Sequence, residues 1–255
     1  GFCQAKDTCT CTSGYGTSDC SESMCNQILA SDSAVCSAHG TCSGNNIGSY
    51  CTCREGYIGE FCEHELCFGV SSVDTSVCNT LGECTGPDTC ACIAGITGRD
   101  CQYLNIDNSQ VYTLSSATRE NAMNECQTKH NGALLVASSV EEIGLVKRWA
   151  SAFSYKAEKA WIGLRKANNQ WQWDNGDSFE SSNWAPQRPL QSGTSCSVIH
   201  LNSGTIEDVS CDDTYPALCA GDKDTFCYGV SSTSANVCNG RGTCSSADSC
   251  NCQRE

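Results

Sequence analysis

The sequence predicts a multidomain, disulfide-rich protein in which small cysteine-stapled modules flank one larger domain. The first observation is the 25 cysteines among 255 residues, with only 39% hydrophobic residues. This composition is typical of disulfide scaffolds in an oxidising compartment. The second observation is that all five tryptophans, but only four cysteines, lie between residues 102 and 221. This segment is therefore the part of the chain that can bury a true hydrophobic core.

Cysteines recur with a fixed spacing on both sides of that segment. Two six-cysteine units have intervening lengths of ten, five, eight, one and eight residues and of ten, five, five, one and eight residues: Cys25, Cys36, Cys42, Cys51, Cys53, Cys62 and Cys67, Cys78, Cys84, Cys90, Cys92, Cys101. The start of the chain has the last three spacings of such a unit, and its end has the first four. Spacing alone leaves fifteen connectivities open for each six-cysteine unit.

This spacing, with the turns "REGYIGEFC" and "IAGITGRDC" before the last cysteine, resembles the EGF-like domain. The resemblance implies β-hairpin modules at 21–62 and 63–101 and partial ones at 1–20 and 222–255. It also implies bonds from the first to the third, the second to the fourth and the fifth to the sixth cysteine of each module. The implied pairs are Cys11–Cys20, Cys25–Cys42, Cys36–Cys51, Cys53–Cys62, Cys67–Cys84, Cys78–Cys90, Cys92–Cys101, Cys227–Cys244 and Cys238–Cys250.

Three cysteines have no partner in that scheme: Cys3, Cys9 and Cys252. We therefore expect the sequence to be a window of a longer repeat protein. The alternative is that Cys3 or Cys252 bonds another chain covalently.

The segment 102–221 contains patterns of both helices and strands. Polar starts at "SSAT" and "ASS" predict helices over about 118–130 and 139–151, the second with Glu141 and Glu142 in its first turn, where they complement the helix dipole. Strands are expected at 160–165, 170–174 and 196–201. The stretches "WIGL", "WQWDNGDSFESSNWAP" and "CDDTYPALC" resemble the C-type lectin-like domain. The resemblance implies an α+β fold, the bonds Cys126–Cys219 and Cys196–Cys211, and a core position for Trp161.

The sequence departs from the calcium-dependent members of that family. Those members carry Glu-Pro-Asn or Gln-Pro-Asp in a long loop, whereas "WAPQRPLQSGTSC" has Arg188 and Leu190 beside its proline. Calcium takes six to eight oxygen ligands, and of the matching positions only Glu207 and Asp208 could supply a carboxylate. The residues before the first cysteine of each module also lack the acidic pattern of calcium-binding EGF-like domains. We therefore expect no calcium and no other cofactor.

Charge and motifs exclude several classes of function. The net charge of −14 opposes binding to nucleic acid and to anionic membrane surfaces, and the longest aliphatic run, "ALLVA", is too short to span a membrane. No motif of a hydrolase, metalloprotease or phosphate-binding loop is present, so we expect no enzyme and no catalytic residues. An acidic group at 207–213 is expected to be a solvated face or a docking patch: Glu207, Asp208, Asp212 and Asp213.

The predicted function is structural, as a segment of an extracellular fibre or adhesive rod. Its partners would be further copies or further EGF-like units of the same chain. The pattern C-[FY]-G-V-S-S, which occurs at 67–72 and 227–232, resembles EGF-like units of protist surface proteins, including flagellar hair (mastigoneme) proteins. The alternative is a cell-surface adhesion or receptor ectodomain that binds a glycan or a protein without calcium. Its candidate contact residues are Trp184, Arg188, Leu190, Glu207 and Asp208.

Glycosylation is a further expectation from the sequence. The segments "CSAHGTC" and "CNGRGTC" fit an EGF-type O-fucose pattern, and "CIAGITGRDC" fits an O-GlcNAc pattern. The candidate acceptors are Thr41, Thr243 and Thr97. No N-x-[ST] sequon occurs, so N-linked glycans are not expected.

Overall fold

The chain forms two compact units, Gly1–Gln102 and Tyr103–Glu255. The computed structural model describes residues 2–5, 8–45, 48–153, 157–179, 183–190, 193–222, 226–227, 230–231, 236–246 and 249–252. Among these residues, no helix is both long enough and apolar enough to cross a membrane.

The first unit is built from short antiparallel strands of two to six residues. They are β1 (Phe2–Ala5), β2 (Thr8–Thr10), β3 (Tyr15–Gly16), β4 (Glu22–Cys25), β5 (Ile28–Leu29), β6 (Gly40–Asn45), β7 (Gly48–Cys53), β8 (Tyr57–Ile58), β9 (His64–Cys67), β10 (Val70–Ser71), β11 (Gly82–Gly86), β12 (Thr89–Cys92) and β13 (Ile96–Thr97). The buried centre of the repeat at 21–62 consists of Cys25, Val35, Cys36 and Cys62. Cystine sulfur thus takes the place of an aliphatic core in a module too small to build one.

Consecutive repeats in this unit are joined by backbone hydrogen bonds. Strand β3 of the first repeat pairs with β4 of the next, and β8 pairs with β9 in the same way. The amide of Met24 donates to the carbonyl of Gly14 at 2.7 Å, and that of Leu66 donates to Gly56 at 2.8 Å. The connections are therefore short sheets and not flexible linkers.

The second unit contains two helices and a mixed sheet. Its elements are β14 (Tyr103–Ile106), β15 (Ser109–Ala117), α1 (Arg119–His130), β16 (Ala133–Leu134), α2 (Val140–Ala152), β17 (Lys159–Ala167), β18 (Gln170–Trp173), β19 (Cys196–His200), β20 (Ile206–Val209), β21 (Tyr215–Gly221), β22 (Phe226–Cys227), β23 (Val230–Ser231), β24 (Gly242–Ser246) and β25 (Ser249–Cys252). Strands β14, β15, β21, β17, β19 and β20 are neighbours in that order, with β16 paired to β21 and β18 to β17. The two predicted helices and three predicted strands are confirmed within two residues at each end.

The helix starts differ in how they are capped. Ser139 accepts a hydrogen bond from the amide of Glu142, and the Glu142 carboxylate accepts one from the amide of Ser139. This capping box gives Glu142 a more specific role than the predicted interaction with the helix dipole. Thr118, at the start of α1, makes no capping hydrogen bond through its side chain.

A left-handed turn begins at the second cysteine of three repeats. The residues Cys36, Cys78 and Cys238 have φ of 52°, 51° and 52°, and the residue after each has φ between 54° and 56°. This conformation costs about 1–2 kcal/mol for each residue that is not glycine. In every case a disulfide bond fastens the same cysteine to the following hairpin: Cys36–Cys51, Cys78–Cys90 and Cys238–Cys250.

The core of the second unit is centred on Trp161, which is fully buried. Its indole nitrogen donates to the carbonyl of Ala117 at 2.8 Å, and Tyr215 meets the ring edge-on. Trp161 is therefore a core residue, as the resemblance implies.

The remaining disulfide bonds follow the implied scheme wherever the side chains are described. They are Cys11–Cys20, Cys25–Cys42, Cys53–Cys62, Cys67–Cys84, Cys92–Cys101, Cys126–Cys219 and Cys196–Cys211. The side chains of Cys3 and Cys227, and hence the predicted Cys227–Cys244 pair, lie outside the described residues. Cys3 stands opposite Cys9 in the β1–β2 register. Cys252 is exposed and not bonded to another cysteine.

Candidate ligand-binding loop

The loop at 183–190 is attached to the start of β20. Trp184 forms a parallel bridge with Ile206, and the amide of Ala185 donates to the Ile206 carbonyl at 2.7 Å. The amide of Arg188 donates to the carbonyl of Ala185 at 3.0 Å, and the Arg188–Pro189 peptide bond is cis. The backbone thus holds Arg188 against the two acidic residues of β20.

The guanidinium of Arg188 bridges both of these acids. It donates to the Glu207 carboxylate, to Asp208 Oδ1 at 3.2 Å and to the Asp208 carbonyl at 3.1 Å. The arginine side chain is only 24% exposed, so the ion pairs are shielded from solvent. The charge of Arg188 is therefore already paired inside the domain, and a ligand contact by Arg188 stays a prediction.

Glu207 is surrounded by cationic and donor groups from three elements. Besides Arg188, Lys159 on β17 donates to Oε2 at 2.7 Å, and His200 Nε2 on β19 lies 2.8 Å from the same oxygen. Burial acts to raise the pKa of Glu207, but hydrogen bonds from Lys159 and His200 and the charges of Lys159 and Arg188 outweigh it. The pKa of this carboxyl therefore lies below its usual value, and the group is a carboxylate at neutral pH.

Asp208 is the buried anchor of the loop. Its side chain is fully buried, and Oδ2 accepts hydrogen bonds from the amide of Leu190 at 2.9 Å and from the hydroxyl of Thr194. With Arg188 on Oδ1, both carboxylate oxygens are occupied. The expected solvated acidic face is therefore wrong for Glu207 and Asp208, although Asp212 and Asp213 are exposed.

Aromatic rings lie behind the loop. Trp184 meets Trp171 and Phe179 edge-on, with ring centroids 4.9 and 5.3 Å apart, and Phe179 meets the buried Trp173 at 5.8 Å. Trp171 and Trp184 are half-buried. Leu190, by contrast, is 47% exposed at the far end of the loop.

The structure thus brings together the five residues that the sequence suggested for this loop. Sequence reasoning did not find Lys159, His200 and Thr194 as members of the cluster. Lys159 and His200 are opposite each other in the β17–β19 register, and Glu207 follows on the neighbouring strand β20. The strand pattern gives no register between distant segments, so no signal in the sequence could have found this cluster.

The residues around Glu207 and Asp208 do not fit a calcium ion. Calcium requires several carboxylate or carbonyl oxygens with free lone pairs. Here the oxygens of Glu207 and Asp208 already accept hydrogen bonds from Arg188, Lys159 and Thr194, among others. The positive charge of the arginine stands where a cation would have to bind.

All three threonines that match glycosylation patterns are exposed. Thr41 and Thr243 lie on strands β6 and β24, and Thr97 on β13. Exposure is compatible with O-glycosylation of the three threonines, which stays a prediction.

Comparison with known proteins identifies the central domain. Residues 115–221 match the family model of the lectin C-type domain, and this segment is a C-type lectin domain. E-selectin of Bos taurus is 35% identical over 111 residues, which are 40% of this chain and 22% of that protein. E-selectin of Rattus norvegicus is 32% identical over 144 residues, 52% of this chain and 24% of that protein. C-type isolectin Sp-CL4 of Scorpaena plumieri is 23% identical over 126 residues, 48% of this chain and 87% of that protein.

The chain spans less than a quarter of the length of these two selectins. Among solved structures, human lithostathine is 21% identical with a TM-score of 0.43, and the alignment covers 52% of this chain and 92% of that one. The carbohydrate-recognition domain of human scavenger receptor C-type lectin is 24% identical with a TM-score of 0.41, and covers 48% and 97%.

Proposed function

We propose that this chain is part of an extracellular adhesion or receptor ectodomain whose C-type lectin domain binds a glycan or protein ligand without calcium. The main support is the ion-pair cluster of Arg188, Glu207 and Asp208. It braces the loop at 183–190, a role that a calcium ion has in the calcium-dependent members of the family. A loop braced in this way presents Leu190 and the edge of Trp184 in a preformed geometry. Preformed loops lose little conformational entropy on binding.

Selectin relatives favour this reading over the fibre subunit predicted from the sequence. Two of the relatives reported above are named E-selectin and one is named a C-type isolectin, and none of the three is named as a fibre protein or an enzyme. The many disulfide bonds favour an extracellular location. The fibre role stays a prediction, and electron microscopy of native, unreduced material would test it by looking for a regular axial repeat.

We further infer that the cysteine repeats at 21–62 and 63–101 are EGF-like modules. Support comes from their bonds between first and third, second and fourth, and fifth and sixth cysteines. The modules would serve as spacers that carry the lectin domain. The mastigoneme resemblance rests on the sequence pattern alone.

Calcium is expected to have no effect on the domain. Because the carboxylates are already paired, adding calcium or EDTA leaves the thermal unfolding midpoint of the chain unchanged. Differential scanning fluorimetry of the full chain, with tryptophan emission as the readout, measures this directly. A rise in the midpoint that saturates with calcium concentration would contradict the calcium-free site, since a ligand that binds only the folded state stabilises it.

Replacing the bracing arginine is expected to weaken ligand capture. Arg188→Ala removes the donor that links the loop to β20, so binding on a printed array of neutral, sialylated and sulfated glycans falls by about tenfold, the factor for one lost charge-assisted hydrogen bond. Arg148→Ala is the control because Arg148 is exposed on α2 and makes no ion pair in the described residues. If both variants bind the glycans equally well, the loop at 183–190 is not part of the binding surface.

A further inference from the structure

A second, separate site is indicated at the start of α1. A cleft of about 390 Å³ lies there, and its charged lining residues are Arg119, Glu120, Arg165, Lys166 and Asp212. None of these belongs to the loop at 183–190 or its ion-pair cluster. A volume of this size falls in the range of small-molecule sites.

Two guanidinium groups beside this cleft share a single carboxylate. Arg119 donates to Asp174 Oδ2, and Arg165 Nε donates to Asp174 Oδ1 at 3.0 Å. One carboxylate balances one charge, so the trio keeps a net charge of +1. Asp174 is 14% exposed and Arg119 is 7% exposed at the side chain, so water screens the charge of Arg119 poorly, whereas Arg165 is 48% exposed and can reach an anion from the solvent side.

The guanidinium of Arg119 also has few hydrogen-bond acceptors around it. Within the part of the chain that the structure describes, its Nε is buried and has no hydrogen-bond partner, and the acceptor of its Nη1 is the sulfur of Met123 at 2.9 Å. A thioether is a weak acceptor, so a guanidinium with five donors is left under-satisfied in a buried position. Met123 is 40% exposed and unbranched, and it can move aside for a better acceptor.

The backbone adds further donors at the same place. Helix α1 has 12 residues, and Thr118 leaves its first turn without a side-chain cap. The Arg119 amide donates to the carbonyl of Cys211 at 3.4 Å, so within the described residues the available first-turn donors are the amides of Glu120 and Asn121. The N-terminus of a helix attracts negative charge through its unpaired amides and its dipole. Lys166 is half-buried at the cleft and makes no ion pair within the described residues.

Two acids limit which anion can enter. Glu120 and Asp212 are exposed at the cleft, where solvent and salt screen them. They oppose a highly charged ligand more than a singly charged one. The favoured group therefore carries one negative charge on a planar or tetrahedral set of oxygens, which suits the fork of an arginine.

We propose that this cleft binds a small oxyanion, a carboxylate or a sulfate group, on the side chains of Arg119, Arg165 and Lys166 and on the amides of Glu120 and Asn121. The anion replaces the Met123 sulfur as acceptor at Arg119. The site is independent of the calcium-free loop proposed above, so either can fail without the other.

The test is an NMR titration of the full chain with four singly charged anions: acetate, methyl sulfate, glucuronate and galactose 6-sulfate. Saturable shifts are expected at the amides of residues 119–121 and 166, beyond those caused by sodium chloride at equal ionic strength. Tighter binding of the two sugars than of acetate and methyl sulfate assigns the anion to a glycan, whereas equal binding assigns it to a free anion. Shifts that sodium chloride reproduces would overturn the proposal.

Charge-matched variants separate the cleft from general electrostatics. Arg165→Gln with Lys166→Gln is expected to weaken binding by about a hundredfold, as for two lost charge-assisted hydrogen bonds of about tenfold each. Lys147→Gln with Arg148→Gln removes the same two charges from exposed positions of α2 and leaves the affinity within about twofold. Equal losses in both pairs would also overturn the proposal.

Discussion

Removing the Cys126–Cys219 bond is expected to lower the free energy of unfolding of the second unit by about 4.7 kcal/mol, the loop-entropy value for a closed loop of about a hundred residues. The two cysteines are 93 residues apart and tie α1 to β21, so the bond constrains most of the lectin domain in its unfolded state. The variant is Cys126→Ala with Cys219→Ala, because both positions are fully buried and a serine hydroxyl there would lack a partner.

Guanidinium denaturation without reductant measures this effect. All five tryptophans lie in the second unit, so their fluorescence follows that unit alone. Cys196→Ala with Cys211→Ala is the matched control, since that bond closes only 15 residues and is expected to cost about 3 kcal/mol. Equal costs for the two bonds would show that native-state packing, and not loop length, decides their contribution.

Local signals in the sequence predicted the two helices and three of the strands of the second unit. The start of α2 was predicted from the polar segment "ASS" and from Glu141 and Glu142 in the first turn, and the structure shows that Ser139 and Glu142 form a capping box there. Trp161 was assigned to the core from its motif and is fully buried. The capping box lies within a few residues, so a local pattern can encode it, whereas the core position of Trp161 was implied by the resemblance of its motif to a known family.

The candidate site could be predicted only in part, because its chemistry is made by distant residues. Lys159 reaches Glu207 across 48 positions, and Arg119 reaches Asp174 across 55. The first contact depends on the register of β17, β19 and β20, and the second joins α1 to the turn after β18; a hydrophobic pattern encodes neither. The residue types alone therefore led to the prediction that calcium does not bind, but they did not indicate that the same carboxylates are internal partners of Arg188.

Losing the buried carboxylate of Asp208 is expected to cost about 3–5 kcal/mol, the usual range when one partner of a buried ion pair is removed. In Asp208→Ala, the Arg188 guanidinium loses one acceptor, and the Leu190 amide and the Thr194 hydroxyl lose theirs. The side chain is fully buried, so water replaces these bonds poorly. Chemical denaturation of the full chain, followed by tryptophan fluorescence, gives the difference.

Asp213→Ala is the control for that measurement, because Asp213 is exposed on the following loop and its removal is expected to change stability by less than about 0.5 kcal/mol.

Asp208→Ala should also lose glycan-array binding at temperatures where it remains folded, since the loop at 183–190 would no longer be fastened to β20. A variant that is as stable as Asp213→Ala would mean that the ion pairs do not brace the loop. A variant that is less stable but binds fully would mean that the ligand contacts another surface, because the brace and the contact would then be separate.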